Sequence, residues 1–279
     1  MTATTIRAGV MGWPISHSRS PRLHGYWLAR YGIDGTYEAL AVAPEDLAEQ
    51  LGALGDRGFA GVNLTVPHKE AALAVVTSLS PAARAIGAVN TVVVGTDGDL
   101  EGDNTDGFGF LENLRQGAAG WRADTGPAVV LGAGGAARAI CHALAGAGAP
   151  DIRIVNRTPA RAETLAGDLA GPLMPWSWDD RSEALAGAAL VVNTTTLGMV
   201  GQDPLDLDLA RLPTSAVVND IVYAPLETPL LAAAAKRGNP VVDGLGMLLH
   251  QARPGFEAWF GRAPEVTAEL RAHVLGSEP

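Results

Sequence analysis

Hydrophobic and polar positions alternate along this chain in a repeating order: a short apolar run, a turn, then an amphipathic segment. The runs "RAGVMG" (7–12), "TYEALAV" (36–42), "GVNLTV" (61–66) and "NTVVV" (90–94) predict strands, each five to seven residues long and bounded by turn formers. A second group follows with "PAVVLGA" (127–133), "DIRIVN" (151–156), "ALVVNTT" (189–195), "AVVNDIV" (216–222) and "PVVDG" (240–244). Between them lie segments with helical spacing, as in "PEDLAEQLGALGDRG", where Leu47, Leu51 and Leu54 recur every three or four residues. Short apolar strands separated by helices predict parallel sheets covered on both faces, an α/β fold.

The polar stretch "GTDGDLEGDNTDG" (95–107) separates the two groups of strands, and the βαβ pattern restarts after it. A domain boundary is expected near residue 105. After the last strand, "LGMLLHQARPGFEAWFG" and "PEVTAELRAHVLG" predict a pair of helices. Length agrees with two domains, since 279 residues exceed what a single core usually organises.

Composition narrows the class. Hydrophobic residues make up 47% and charged residues 18%, values of a globular rather than a disordered chain. The net charge of −10, without a basic run, disfavours nucleic acid as a partner. No apolar run reaches the ~20 residues that span a bilayer, and the N-terminus has no signal-peptide pattern, so a cytoplasmic, membrane-free protein is expected. The single cysteine, Cys141, sits in "AARAICHALAG" and reads as a small buried hydrophobe. The histidines have no metal-ligand spacing with acids or the cysteine, so no metal is expected.

Candidate chemistry begins at "VVLGAGGAARAI" (129–140), which follows a strand and opens a helix. Gly132, Gly134 and Gly135 occupy the turn, where a backbone without Cβ atoms can approach a pyrophosphate and a helix N-terminus offers free N–H groups. An NAD site usually places an acid ~20 residues further on to take the ribose 2′-hydroxyl. This chain has Asn156 and Arg157 there, with Arg161 one turn on. A guanidinium suits a 2′-phosphate, so NADP is the expected cofactor, with Thr158 as N-cap of the next helix and a further phosphate donor.

Polar residues also cluster beside strands of the first group, in "PISHSRSPRLH" (14–24), "GVNLTVPHK" (61–69) and "GAVNTV" (87–92), and "GDNTDG" (102–107) lies at the boundary. Hydroxyls and amides past the carboxyl ends of strands suit a small polyhydroxylated ligand.

Taken in order, "HSRSP" with His24, "GVNLTVPHK", "GAVNT", "GDNTDG", "GAGGAARA", "NRTPAR", "DIVYAPLETPLL" and "GLGMLLHQA" resemble the shikimate dehydrogenase family over residues 10 to about 252. The resemblance implies an N-terminal α/β substrate domain with a parallel-rich sheet, residues 1–105 completed by helices in 245–279, and a Rossmann-like NADP-binding domain, residues 106–244. It implies that Lys69 and Asp106 form the catalytic pair at the reacting hydroxyl. Ser18, Ser20 and Tyr223 match residues that hold the substrate carboxylate. Asn63, Thr65, Asn90 and Gln251 match residues that bond ring hydroxyls or the carboxylate. Gly132, Ala133, Gly134, Gly135 and Ala136 match the pyrophosphate turn, and Asn156, Arg157, Thr158 and Arg161 the 2′-phosphate contacts. Ile221 and Gly244 match positions near the nicotinamide. Substrate is then expected in the cleft between domains, and a homodimer is an allowed assembly.

Physical chemistry agrees with these roles. Oxidising a secondary alcohol moves a hydride to the cofactor and a proton to a base, and a lysine held away from water releases its proton more readily than one in solvent. Departures from the family's pattern are mild: Gly25 follows His24 where Asn is usual, and "NTTTLGM" (193–199) replaces an Asn-Ala-Thr-Ser pattern. Two readings compete. A quinate/shikimate dehydrogenase of broader substrate or cofactor range would usually carry an acid where Arg157 stands. A noncatalytic NADP-binding sensor would be expected to have lost Lys69 or Asp106, and both are present.

Overall fold

The computed structural model describes residues 5–276. The described residues fold as two compact units, one formed by residues 5–105 with 248–276 and the other by 106–247.

The first unit contains β1 (Ile6–Gly12), α1 (Ser20–Tyr31), β2 (Gly35–Ala41), α2 (Leu47–Gly52), β3 (Phe59–Leu64), β4 (Ser78–Leu79), α3 (Pro81–Ile86), β5 (Thr91–Val94) and β6 (Leu100–Asp103). Its six strands lie in the order β2-β1-β3-β5-β6-β4. β1 runs parallel to both β2 and β3, whereas β5 is antiparallel to β3 and to β6. The sheet is therefore mixed, with β4 also parallel to β6, and matches the parallel-rich sheet expected for this domain. Its antiparallel part originates in the segment 95–107. Its first part is no linker: Gly95 and Gly98 shape a tight turn, with Gly95 N–H bonded to Asp99 O (2.8 Å), and the chain returns as an antiparallel β6. Two-residue-scale turns join antiparallel neighbours, and parallel ones need a crossover. The helix expected over 44–58 is also shorter, yet Leu47, Leu51 and Leu54 all enter the core with Met11, Val62, Leu64 and Val92.

The second unit contains α4 (Asp106–Gly117), β7 (Ala128–Leu131), α5 (Gly135–Gly146), β8 (Ile152–Asn156), α6 (Pro159–Asp168), β9 (Leu173–Ser177), β10 (Leu190–Asn193), β11 (Val217–Asp220), α7 (Pro229–Lys236) and β12 (Val241–Val242). All six strands are parallel, in the order β12-β11-β10-β7-β8-β9. Strand periodicity divides the core between its faces. Val130, Ile154 and Val192 pack with α4 and α5 residues such as Phe110 and Ile140 on one side. Val129, Leu131, Val155 and Val191 pack with Leu230 and Leu231 of α7 on the other. Cys141 is fully buried in the first of these layers.

α8 (Leu245–Phe260) carries the chain from the second unit back to the first, and α9 (Ala268–Leu275) follows. The indole N–H of Trp259 donates to Val92 O (3.1 Å), and Trp27 donates to Glu265 O (2.9 Å), which seats the returning segment on the first sheet. Trp27, Tyr37, Phe256, Trp259 and the ring of His24 form one aromatic cluster there. No helix of the described residues is long and apolar enough to cross a membrane.

Candidate active site

In the first unit, a continuous chain of side-chain hydrogen bonds runs past the ends of β3 and β5. It starts at Tyr37, whose hydroxyl donates to Asn63 Oδ1 (2.7 Å). Asn63 Nδ2 donates to Asn90 O (3.2 Å) and Thr91 Oγ1 (3.1 Å), and the Thr91 hydroxyl donates to Asn90 Oδ1 (3.0 Å). Asn90 Oδ1 also accepts the backbone N–H of Thr105 (2.9 Å), while its Nδ2 reaches Thr105 Oγ1 (3.0 Å) and Gln251 Oε1 (3.2 Å). The Thr105 hydroxyl closes the chain on Gln251 O (2.8 Å). Buried amides and hydroxyls must find partners, and here they find one another, so each is held in one orientation. Asn63, Asn90, Thr91 and Thr105 are all buried.

The loop after β3 is fixed just as firmly. Thr65 N–H bonds Met11 O (3.0 Å), and Lys69 O accepts from Val89 N–H (2.7 Å). Between them, His68 is buried with Nε2 2.9 Å from Val42 O, so the ring donates through that nitrogen. Burial lowers the His68 pKa, the Val42 carbonyl opposing it, and the ring is a fixed peg beside Lys69. At the entrance to α1, Ser18 N–H bonds Ile15 O (3.0 Å) and Ser20 N–H bonds Ser18 Oγ (3.3 Å).

The second unit carries the glycine-rich turn. Gly132 has φ +114°, and a Cβ there would lie 2.5 Å from Thr194 Oγ1, so the position admits glycine alone. Gly134, the N-cap of α5, faces open space, leaving room for a ligand against the first N–H groups of a twelve-residue helix. At the end of the neighbouring β8, Arg157, Thr158 and Arg161 are exposed, and among the described residues neither arginine is in an ion pair. A glycine-rich turn, a free helix N-terminus and two guanidiniums outside any ion pair fit a dinucleotide with a 2′-phosphate. Thr158 is the N-cap of α6 as expected, but its side chain makes no capping bond. Asn156 Nδ2 instead ties the Thr158 carbonyl (2.9 Å).

Beyond β11, the loop bearing Ile221 and Tyr223 hangs on a buried carboxylate. Asp220 Oδ1 accepts from Asn193 Nδ2 and Val222 N–H (3.0 Å each), and Oδ2 accepts from the Thr228 hydroxyl (2.7 Å). Burial pushes the Asp220 pKa up to about 6 despite these three donors. Ile221 and Gly244 are brought together: a Cβ on Gly244 would lie 2.2 Å from Ile221 O.

Ser18, Ser20, Asn63, Thr65, Lys69, Asn90 and Gln251 thus belong to the first unit. Asp106, Tyr223 and every expected cofactor residue belong to the second. Four participants had gone unnoticed in the sequence. Tyr37, Thr91, Thr105 and Asp220 sit in strands or a loop where they read as ordinary alternating positions. Thr91, Thr105 and Asp220 lie inside the quoted stretches "GAVNTV", "GDNTDG" and "DIVYAPLETPLL" without being singled out there, and Tyr37 carried no signal beyond its strand. Among the described residues, no group of three or more His, Cys, Asp or Glu could hold a metal.

A glycine-rich βα turn on one parallel sheet, joined to a second unit lined with amides and hydroxyls, defines a nicotinamide-dinucleotide oxidoreductase of the two-unit α/β class. Comparison with known proteins gives the family. Residues 10–92 match the shikimate dehydrogenase substrate binding domain, 118–199 the shikimate/quinate 5-dehydrogenase family and 244–272 the shikimate 5′-dehydrogenase C-terminal domain. A shikimate dehydrogenase (NADP(+)) of Rhodospirillum rubrum is 66% identical over 273 residues, covering 96% of each chain. One from Paramagnetospirillum magneticum is 65% identical over 268 residues, covering 96% of this chain and 97% of that one. The crystal structure of shikimate 5-dehydrogenase from Thermus thermophilus in complex with NADP(H) and shikimate superposes with a TM-score of 0.86 at 40% identity, covering 98% of this chain and all of that one. A quinate dehydrogenase from Corynebacterium glutamicum in complex with NAD superposes at 0.90 with 31% identity, covering 98% and 99%. The chain belongs to the shikimate dehydrogenase family and is an NADP-dependent oxidoreductase acting on a CH–OH group.

Proposed function

We propose that this enzyme reversibly reduces 3-dehydroshikimate to shikimate with NADPH, in the cytoplasmic route to chorismate and the aromatic amino acids. Lys69 is its acid/base group and Asp106 its partner. The observation that carries the reading is the buried amide and hydroxyl chain from Asn63 through Asn90 to Gln251, which lies in the same unit as Lys69 and its fixed loop. Pre-oriented donors and acceptors of this kind suit a rigid ring with several hydroxyls, because little ordering remains for the moment of binding.

Residues 1–105 with the C-terminal helices form the substrate unit, and the remainder binds NADP. Bound NADP supplies the hydride acceptor and NADPH the donor. Gly132 to Ala136 hold the pyrophosphate, and Asn156, Arg157, Thr158 and Arg161 the 2′-phosphate. Ile221 and Gly244 line the nicotinamide position. The hydroxyls of Ser18, Ser20 and Tyr223 hold the substrate carboxylate. Asn63, Thr65, Asn90 and Gln251 hold ring oxygens. Lys69 Nζ gives a proton to the carbonyl oxygen during reduction and takes it back during oxidation, while the Asp106 carboxylate orients both the ammonium and the hydroxyl.

An initial-rate assay with shikimate or quinate against NADP or NAD tests this. Turnover is expected with shikimate and NADP, and Lys69→Ala should lower kcat by about 10²–10⁴. A Lys69→Ala enzyme with unchanged kcat would remove the lysine from the mechanism. Preference for quinate or NAD would select the broader enzyme.

A further inference from the structure

Strand periodicity in the second unit places one more hydroxyl beside the residues proposed to hold the 2′-phosphate. On β8, Ile152 and Ile154 enter the core layer that Ala162 and Leu165 of α6 share, and Val155 enters the opposite layer. Side chains alternate along a strand, so Asn156 stands on the α6 face. On β9, Leu173 enters the same layer and Trp176 packs against the opposite one, so Ser177 stands on the α6 face as well. The two strands are parallel, with Asn156 opposite Ser177, and each is the last residue of its strand. Neighbouring strands lie about 4.8 Å apart, so Ser177 is next to Asn156 at the carboxyl edge, the edge where sheets of this kind take their ligands.

Hydrogen-bond donors are scarce at this edge. Pro159 opens α6 and has no N–H to offer. The Arg161 N–H turns back to Thr158 O (3.1 Å), and Asn156 Nδ2 spends a hydrogen on the same carbonyl (2.9 Å). Ser177 is half-buried and better placed to give one. Its Oγ accepts the Asp179 N–H (3.2 Å), and its backbone O accepts the Asp180 N–H (3.2 Å). A hydroxyl that accepts on one lone pair keeps its hydrogen, and among the described residues that hydrogen has no acceptor. The turn thus fixes the oxygen and leaves its donor unspent. A phosphate dianion presents oxygens that only accept, which is the partner such a donor lacks. Asp179 and Asp180 are exposed on the following turn, and their screened charges reduce the gain without occupying the hydroxyl.

We propose that Ser177 is a further binding residue for the 2′-phosphate of NADP, donating its hydroxyl hydrogen to a phosphate oxygen and so adding to the choice of NADP over NAD. The inference rests on the reading of Asn156, Arg157, Thr158 and Arg161 as 2′-phosphate contacts.

Calorimetric titration with adenosine 2′,5′-bisphosphate and with adenosine 5′-monophosphate tests it, because the two ligands differ only in the 2′-phosphate. Ser177→Ala should weaken the bisphosphate about three- to tenfold and leave the monophosphate within about twofold of wild type. Ser177→Thr keeps the donor and should hold the wild-type preference. Ser177→Asp keeps an acceptor for the Asp179 N–H but adds a negative charge, so it should weaken the bisphosphate at least tenfold, again sparing the monophosphate. That variant decides the matter on its own if Ser177→Ala does not fold. Equal losses on both ligands would assign Ser177 to the turn or to the adenosine and overturn the proposal. A wild type that binds both ligands equally would remove the 2′-phosphate reading and this inference together. A preference lost in Arg157→Ala but intact in Ser177→Ala and Ser177→Asp would remove the role of Ser177 alone.

Discussion

Asn90 and Gln251 are 161 residues apart in the chain, and Asn90 Nδ2 donates to Gln251 Oε1 across 3.2 Å. The bond joins the start of β5 to α8, and the same asparagine fixes the backbone N–H of Thr105, the residue before Asp106. One amide thus sets the exit of β6 and the seat of the returning helix together.

Asn90→Ala should therefore do more than remove a ligand contact. It leaves the buried Thr105 N–H without its partner, which costs about 1–3 kcal/mol, and frees the half-buried Gln251 Oε1 as well. The expected outcome is a KM for shikimate raised at least tenfold together with a lower Tm, both read on one preparation. Thermal unfolding identical to wild type would show that the network has no structural share.

Cofactor choice should reside in Arg157 and Arg161. Replacing Arg157 by Ala removes a charge-assisted partner of a 2′-phosphate, so the KM for NADP should rise about 10- to 100-fold while that for NAD stays level. The double variant with Arg161→Ala should bring the two cofactors close to parity. Equal losses on NADP and NAD would mean that the arginines act on something other than the 2′-phosphate.

Asp220 gives a prediction in pH. Its folded-state pKa is pushed up from 3.8 to about 6, so the native protein binds a proton more readily than the unfolded chain between those values. This group's contribution to stability is therefore greatest at low pH and is lost as pH rises through about 6. Asp220→Asn keeps an oxygen for Asn193 and Val222, and Thr228 can accept from the new amide. Denaturant titrations should show the variant more stable than wild type at pH 7.5, by roughly 3 kcal/mol at most, with the gap closing toward pH 5. A gap that widens on acidification would contradict the assignment.

Most of the fold could be read from periodicity, because nine of the strands are apolar runs between turn formers. Those it hid have individual reasons. β9, "LMPWS", is an edge strand, where Pro175 need not donate to a neighbour and Met174 can face solvent, so neither the pattern nor the proline rule marked it. β6 contributes only Leu100 as a large apolar residue and lies inside a stretch that composition marks as a loop. β4 spans two residues. In the site, Lys69, Asn90 and the glycine turn stood out because their residue types are unusual beside buried strands. Tyr37 did not, since an aromatic at an inward strand position reads as core, and nothing local shows that Asn63 waits 26 residues away. His24 was hidden in the same manner, as a buried ring whose partner is a neighbouring strand.

The packing of α5 has a practical sequel. Cys141 is the chain's single thiol, it is wholly buried against the second sheet, and burial pushes its pKa up to about 12. A thiol that neither ionises nor meets solvent is silent toward maleimides and iodoacetamides while the fold is intact. The native protein is thus a ready-made background for site-directed labelling. A cysteine placed on either unit would take up a fluorophore or spin label alone, and the distance between two such labels would report directly on how the units move.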